Sequence, residues 1–142
     1  MVSYLHEKDG IVHRGLRPEI LFVIQQRPDQ PCRLKVMSLG KASKLDSPEG
    51  DFDDEQLHPA KKKKLTAFCA PESRFKDSLL ADEWAIGVLL YYMFSGGSYP
   101  DFATSGKVKF TGKIWKKYDK KEEVKKLIKG LLTVDESKRM SA

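Results

Sequence analysis

Residues 82–94, DEWAIGVLLYYMF, are apolar at nearly every position. A run of that length with no polar face predicts a helix walled in on most sides. Asp82 stands where an N-cap belongs, and Ser95-Gly96-Gly97 followed by Pro100 is a stop signal. Residues 121–132, KEEVKKLIKGLL, carry a different pattern. Val124, Leu127, Ile128, Leu131 and Leu132 recur at helical spacing with charges between them. That predicts an amphipathic helix lying against a core. Toward the N-terminus the periods shorten. Ile11-Val12, Ile20 to Ile24 and Leu34 to Met37 are short β-branched or apolar runs that read as strands. QQRPDQPC separates the last two with two prolines and an aspartate, which predicts a small hairpin. Residues 1–8 fit the last turns of a helix. Residues 41–69 hold no sustained period and read as one long loop.

Composition bounds this picture. The chain has 142 residues, room for one domain with a modest core, and its 40% apolar content suits a globular chain. No stretch approaches the roughly 20 apolar residues of a spanning helix. The first residues lack the basic start and long apolar run of a signal peptide. Cys32 and Cys69 are far apart and without metal-ligand spacing. They read as reduced thiols of an intracellular protein, cytoplasmic or nuclear. The net charge is +6, unevenly spread. Residues 46–55 are acidic, residues 61–64 are four lysines, and lysines are dense from Lys107 to Lys129. Such blocks are ordinarily solvated surface. A nucleic-acid interface would need a concentrated basic face with interleaved aromatics, so that reading ranks below the others.

Five segments, in order, resemble the carboxyl-terminal lobe of a eukaryotic protein kinase of the Ser/Thr type. YLHEKDGIVHRGLRPEILF is similar to the end of that lobe's long helix and its catalytic loop, H-R-D-L-K-P-E-N. LKVMSLGKASKL resembles the strand and turn that carry D-F-G. FCAPES resembles the A-P-E motif closing the activation segment, and ADEWAIGVLLYYMF the buried central helix, D-x-W-S-x-G-V. LIKGLLTVDESKRMSA resembles the late helix and the arginine after it. The similarity is closest to the calcium/calmodulin-dependent and plant-type calcium-dependent kinases. It implies a mainly α (α+β) fold with a small hairpin, a partial kinase-like domain over residues 1–142. Within it the resemblance implies a catalytic-loop region 1–24, a hairpin and SLG turn 20–40, an activation-segment-like loop 41–72 and a helical subdomain 73–142.

The resemblance also identifies what has changed. Kinases transfer phosphate by placement and charge neutralisation. A loop aspartate orients the hydroxyl, while an asparagine and the D-F-G aspartate hold magnesium. The matching positions here are Gly15, Ile20 and Ser38. Gly15 and Ser38 lie 23 apart, about the family spacing. If the asparagine is deleted instead, Ile20 is merely the next residue and the ligand is still absent. A general base alone is worth roughly 10²–10⁴ in rate, and a neutral hydroxyl binds magnesium poorly beside a carboxylate. The chain contains neither a glycine-rich loop nor V-A-I-K, so neither ATP nor Mg²⁺ is expected as its cofactor.

Other positions carry over as structure. His13 and Arg14 match the family loop, where the resemblance implies a histidine packed under the D-F-G turn and an arginine that can meet a phosphate on the activation segment; with no aspartate beside them, the structural role is favoured. Arg17 matches the lysine that touches the transferred phosphate, and is read here as a surface cation. Glu72 and Arg139 match a buried ion pair. Asp82 matches the residue holding the catalytic-loop backbone, a role close to that of an ordinary N-cap. Leu39 stands for the D-F-G phenylalanine and is expected to pack. Ser47 and Thr66 are candidate phosphosites. Trp115 and its neighbours resemble the segment after the substrate-docking helix, and their aromatics are read as core or interface in preference to a base-stacking platform.

The leading expectation is a truncated kinase-like domain without catalysis. It would act by binding a protein partner, by self-association, or by competing with an intact kinase. Its opening inside a family helix implies missing packing and marginal stability alone. The alternative is a piece of an active ATP-dependent kinase whose nucleotide lobe lies elsewhere. That requires compensating acids, and the nearest (Asp9, Asp29 and Asp46) fall on no motif position. A lysine-rich nucleic-acid binder is the third reading.

Overall fold

The computed structural model describes residues 2–25, 27–45, 65–74, 78–103, 105–116 and 121–141. The acidic block, the four lysines and Ser47 lie outside them. Three helices and three small antiparallel sheets make up the described fold.

The chain opens with a short helix α1, Val2–Tyr4, that widens into a π turn over Leu5–Asp9. Gly10 ends it at φ 60, a left-handed conformation that glycine adopts without steric cost. Strand β1 (Ile11–Val12) leads into the loop of residues 13–17, and Pro18–Ile20 form a 3-10 turn with proline at its start. Strands β2 (Leu21–Ile24) and β3 (Arg33–Val36) then pair as the hairpin, with Leu21 opposite Val36 and Ile24 opposite Arg33. Ile20 is therefore the close of a turn, one residue before the strand. The hairpin is apolar yet largely wet, with Phe22 47%, Val23 67% and Leu34 61% exposed. Strand β4 (Ser43–Lys44) returns to β1, with Val12 opposite Ser43. That pairing falls within the stretch expected to be all loop.

Helix α2, Leu80–Phe94, is the centre of the molecule. It starts two residues before the expected cap. Asp82 sits inside its first turn, and the Ser78 hydroxyl accepts the Leu80 N–H at 3.2 Å instead. The helix needs apolar residues all round because it separates two clusters. Trp84, Val88 and Tyr91 join Trp115, Ile128 and Leu132 on one side. Ala85 and Leu89 join Leu16 and Ile20 on the other. The Trp84 indole N–H donates to the Ala67 carbonyl at 3.0 Å, so its polar edge is satisfied within the core.

Helix α3, Lys121–Leu131, turns Ile128 and Leu131 inward. Leu127 belongs to the same apolar spacing but is 42% exposed, so the stripe is wider than the contact. Between α2 and α3 the chain makes a hairpin of β5 (Asp101–Phe102) and β6 (Val108–Lys109), then a 3-10 turn over Lys113–Lys116 that buries Trp115. Trp115 lies edge-on to Phe110 at 4.8 Å, a core packing arrangement.

Helices α2 and α3 approach closely at Gly87. A Cβ there would stand 2.9 Å from Leu131 Cβ and from Leu132 Cδ2. Leu131 Cβ is fixed to its own helix and cannot rotate away. Gly87→Val is expected to cost about 1–3 kcal/mol by forcing the helices apart. Urea denaturation checks this, and an unchanged midpoint would mean that the crossing is looser than described.

Past α3, Asp135 caps a 3-10 turn, Glu136–Lys138. Its carboxylate meets Lys138 Nζ at 2.8 Å and accepts from the Ser137 amide and hydroxyl. The Lys138 hydrogen bond, then those of Ser137, lower its pKa from 3.8 to about 2. A depressed acid contributes its stabilisation above the ordinary value and loses it as pH falls toward the folded one. The turn should therefore hold at pH 4 and loosen as pH approaches 2. A carboxyl-carbon NMR titration should find the Asp135 midpoint near 2, and Lys138→Met should move it upward.

Candidate functional site

The loop after β1 is held from beneath by α2. Asp82 is 1% exposed, and its Oδ2 accepts the His13 amide at 2.7 Å while Oδ1 accepts the Arg14 amide at 3.0 Å. His6 Nε2, on the N-terminal helix, meets the same carboxylate at 3.0 Å. One buried acid thus joins the first helix, the loop and α2. A buried carboxylate is tolerable only with such partners.

That grip fixes an unfavourable backbone. Arg14 has φ 59 and Ser38 φ 67, the two non-glycine residues with positive φ among those described. Each such conformation costs on the order of 1–3 kcal/mol and persists where the surroundings over-determine it. For Arg14 the surroundings are the Asp82 bond and a side-chain bond from Nη1 to Ser43 Oγ at 3.1 Å.

His13 is wholly buried. Its Nδ1 accepts the Gly15 amide at 3.3 Å, which puts the proton of a neutral ring on Nε2. Among the described residues no group partners that Nε2. Gly15 lies beside the His13 ring with no close obstruction. A Cβ there would meet nothing nearer than the His13 ring at 3.6 Å, and the backbone imposes no glycine requirement.

A small cleft of about 50 Å³ opens beside this loop. Arg14, Gly15 and Arg17 line it together with Lys41, Phe68 and Cys69, and Asp82 forms part of its floor. Arg17, read from sequence as a surface cation, is a cleft residue, with its Nε 3.8 Å from Glu19. Lys41 and His6 escaped the sequence reading. Lys41 follows the SLG turn by one residue, where no motif marks it.

Other expected site residues are elsewhere. Ile20 is 6% exposed and packs with Leu16, Ala85 and Leu89. It behaves as a core residue, which fits deletion of the asparagine better than its replacement. Ser38 is exposed, and Leu39, expected to pack, is 58% exposed. The turn following β3 carries Leu39 outward, and no described element covers it. Cys32 and Cys69 are both exposed, and neither is in a disulfide among the described residues.

Glu72 and Arg139 form a forked ion pair, with Nη2 donating to Oε2 at 2.8 Å and Nη1 to Oε1. Arg139 also donates to the Leu80 and Thr133 carbonyls and lies over the Trp84 ring at 5.2 Å. The Arg139 side chain has no exposure and that of Glu72 11%.

The described residues hold no cluster of three or more potential metal ligands and no helix long and apolar enough to cross a membrane. At the cleft, Gly15 offers no side-chain ligand and Asp82 is already committed to two amides and His6, so the side chains present do not fit a magnesium ion.

Comparison with known proteins agrees with the motif order. The sequence profile described as "Protein kinase domain" matches residues 1–142. A calcium and calcium/calmodulin-dependent serine/threonine-protein kinase of Lotus japonicus is 32% identical over 155 residues, covering 97% of this chain and 26% of that protein. Ribosomal protein S6 kinase alpha-4 of Mus musculus is 31% identical, covering 98% of this chain and 19% of its own. A putative ribosomal protein S6 kinase alpha-2 of Caenorhabditis elegans is 35% identical, covering 99% and 20%. The chain thus spans about a fifth to a quarter of these curated relatives. With the profile matched end to end and relatives that are Ser/Thr kinases by name, the chain belongs to the protein kinase family.

Proposed function

We propose that residues 1–142 are a carboxyl-terminal kinase lobe that has lost phosphotransfer and acts by binding protein. Its parts are the catalytic-loop region 1–24, the hairpin and SLG turn 20–40, the activation-segment-like loop 41–72 and the helical subdomain 73–142. One observation carries the reading. The loop keeps its clamp on Asp82 and its strained Arg14, while the residue at the centre, Gly15, has no carboxylate to offer. The metal positions fare no better, since Ile20 is core and Ser38 is a neutral, exposed hydroxyl. Losing the base alone removes roughly 10²–10⁴ in rate.

A protein-binding role is supported by the apolar surface of the hairpin and its turn, with Val23, Leu34, Met37 and Leu39 each more than half exposed. Patches of that kind mark interaction surfaces. Competition with an intact kinase for a shared partner, in the interior of a cell, is the simplest use of such a lobe.

The test is a thermal shift with magnesium-ATP. A ligand at 100 times its Kd stabilises by about 2.7 kcal/mol. No shift is expected here, and a magnesium-dependent rise of several degrees would overturn the reading. The second reading, a part of an active kinase, is favoured by the relatives' greater length. It predicts magnesium-dependent phosphotransfer when the flanking sequence is present.

A further inference from the structure

The lysines that are dense in sequence beyond α2 are gathered in space around one aromatic pair. The Lys125 ammonium stands 5.9 Å and the Lys129 ammonium 5.7 Å from the centre of the Phe110 ring. Phe110 in turn packs on Trp115 at 4.8 Å, and Trp115 belongs to the 3-10 turn that begins at Lys113 and ends at Lys116. Lysines of α3 and of that turn thus flank the same two rings. Lys126, three residues before Lys129, lies on the same side of α3.

An ordinary solvated face interleaves its charges with opposite ones. Among the described residues, the ion pairs of this face are Lys125 with Glu122 at 3.0 Å and Lys109 with Asp101 at 3.3 Å. Lys113, Lys116, Lys126 and Lys129 are exposed and belong to neither pair. Lys125 and Lys129 are also like charges four apart, an arrangement that weakens a helix. The negative face of the Phe110 ring offsets part of that repulsion by attracting both.

The chemistry of the patch narrows its partner. No arginine stands among these cations, so the forked donors that suit phosphate are missing. The aromatics are spent on packing, with Trp115 2% exposed, and offer no platform for stacked bases. A membrane-surface helix carries a broad apolar face beside its lysines. On α3, among the described residues, Leu127 is the one large apolar side chain that is exposed. Carboxylates of a flexible protein segment need none of these features, because they pair with ammonium groups as point charges.

We propose that this face docks an extended, aspartate- and glutamate-rich segment of a partner protein. The proposal deepens the protein-binding reading above by naming the partner's chemistry, and it draws on no residue of the loop after β1.

The experiment is fluorescence anisotropy of the full 142-residue chain at low ionic strength. The probes are a labelled peptide of alternating glutamate and glycine and its glutamine counterpart. The glutamate peptide should bind at least about tenfold more tightly, the sum of several exposed ion pairs of ordinary strength. About 1 M salt, where the screening length is about 3 Å, should erase the preference. Lys126→Glu with Lys129→Glu should remove it too. Lys113→Glu with Lys116→Glu should do the same from a different element, so a folding defect in one pair leaves the other as the test. Arg33→Glu with Lys35→Glu makes the same charge change on the exposed β3 strand and should leave the preference within about twofold. Equal binding of the two peptides overturns the proposal, as does a preference that survives both reversals or falls equally with the β3 control. Tighter binding of a single-stranded oligonucleotide of equal charge, or of phosphatidylserine vesicles, would overturn it in favour of a nucleic-acid or membrane surface. Magnesium-ATP binding is read separately, so failure of the peptide arm leaves the non-catalytic reading standing.

Discussion

Asp82→Ala should lower the stability of the chain by about 1–5 kcal/mol, because it strands one buried amide donor at about 1–3 kcal/mol and one part-buried donor for less. The donors are His13 N and Arg14 N, which reach the carboxylate at 2.7 and 3.0 Å. His6 loses its partner as well. The left-handed Arg14 would then be held by its side chain alone, and the loop should relax out of its present path. Typical net stability is about 5–15 kcal/mol, so the variant should sit near the edge of folding. Asp82→Asn should cost less, since one oxygen still accepts while the new amide opposes a donor. Urea midpoints measure both. A loss below about 1 kcal/mol for Asp82→Ala would mean that the loop holds itself.

Arg139→Ala should cost about 3–5 kcal/mol. The guanidinium has no exposure, and its removal leaves Glu72, only 11% exposed, as an uncompensated charge. It also releases the Leu80 and Thr133 carbonyls and the contact over Trp84. The pair joins the residue 71–74 turn, the start of α2 and the chain after α3, so the damage should spread across all three. Arg139→Lys should rescue little, because the fork that meets both Glu72 oxygens is gone. Replacing Glu72 and Arg139 together by methionine should cost much less than Arg139→Ala, since no charge is left buried. Denaturation of the single and double variants forms the cycle, and additive losses would mean that the pair is not coupled.

The two long helices were legible because burial writes itself into composition. Helix α2 packs on both sides, so its run is apolar throughout. Helix α3 packs on one side, so it shows a stripe. Leu127 shows the limit, since spacing marks a face and does not say how far the neighbour extends across it. The pairing of β1 with β4 was invisible because each strand is two residues long and they lie some thirty residues apart. The hairpin β5–β6 is equally short. At the site, the changed positions Gly15 and Ser38 could be read from motif spacing, but the grouping of Arg17 with Lys41 could not. Leu39 was misread because an apolar residue in a motif suggests packing, whereas burial depends on what lies above it.

Phosphotransfer by the protein that carries these residues, with its natural flanking sequence, tests the central claim most directly. Radiolabelled ATP, magnesium and a Ser/Thr peptide are the reagents, and incorporated phosphate is the readout. The account predicts no incorporation above a mock preparation, because neither a base at Gly15 nor a metal ligand at Ser38 is present. Magnesium-dependent incorporation that disappears on Arg17→Ala would contradict it and make this an active kinase that does without the loop carboxylate.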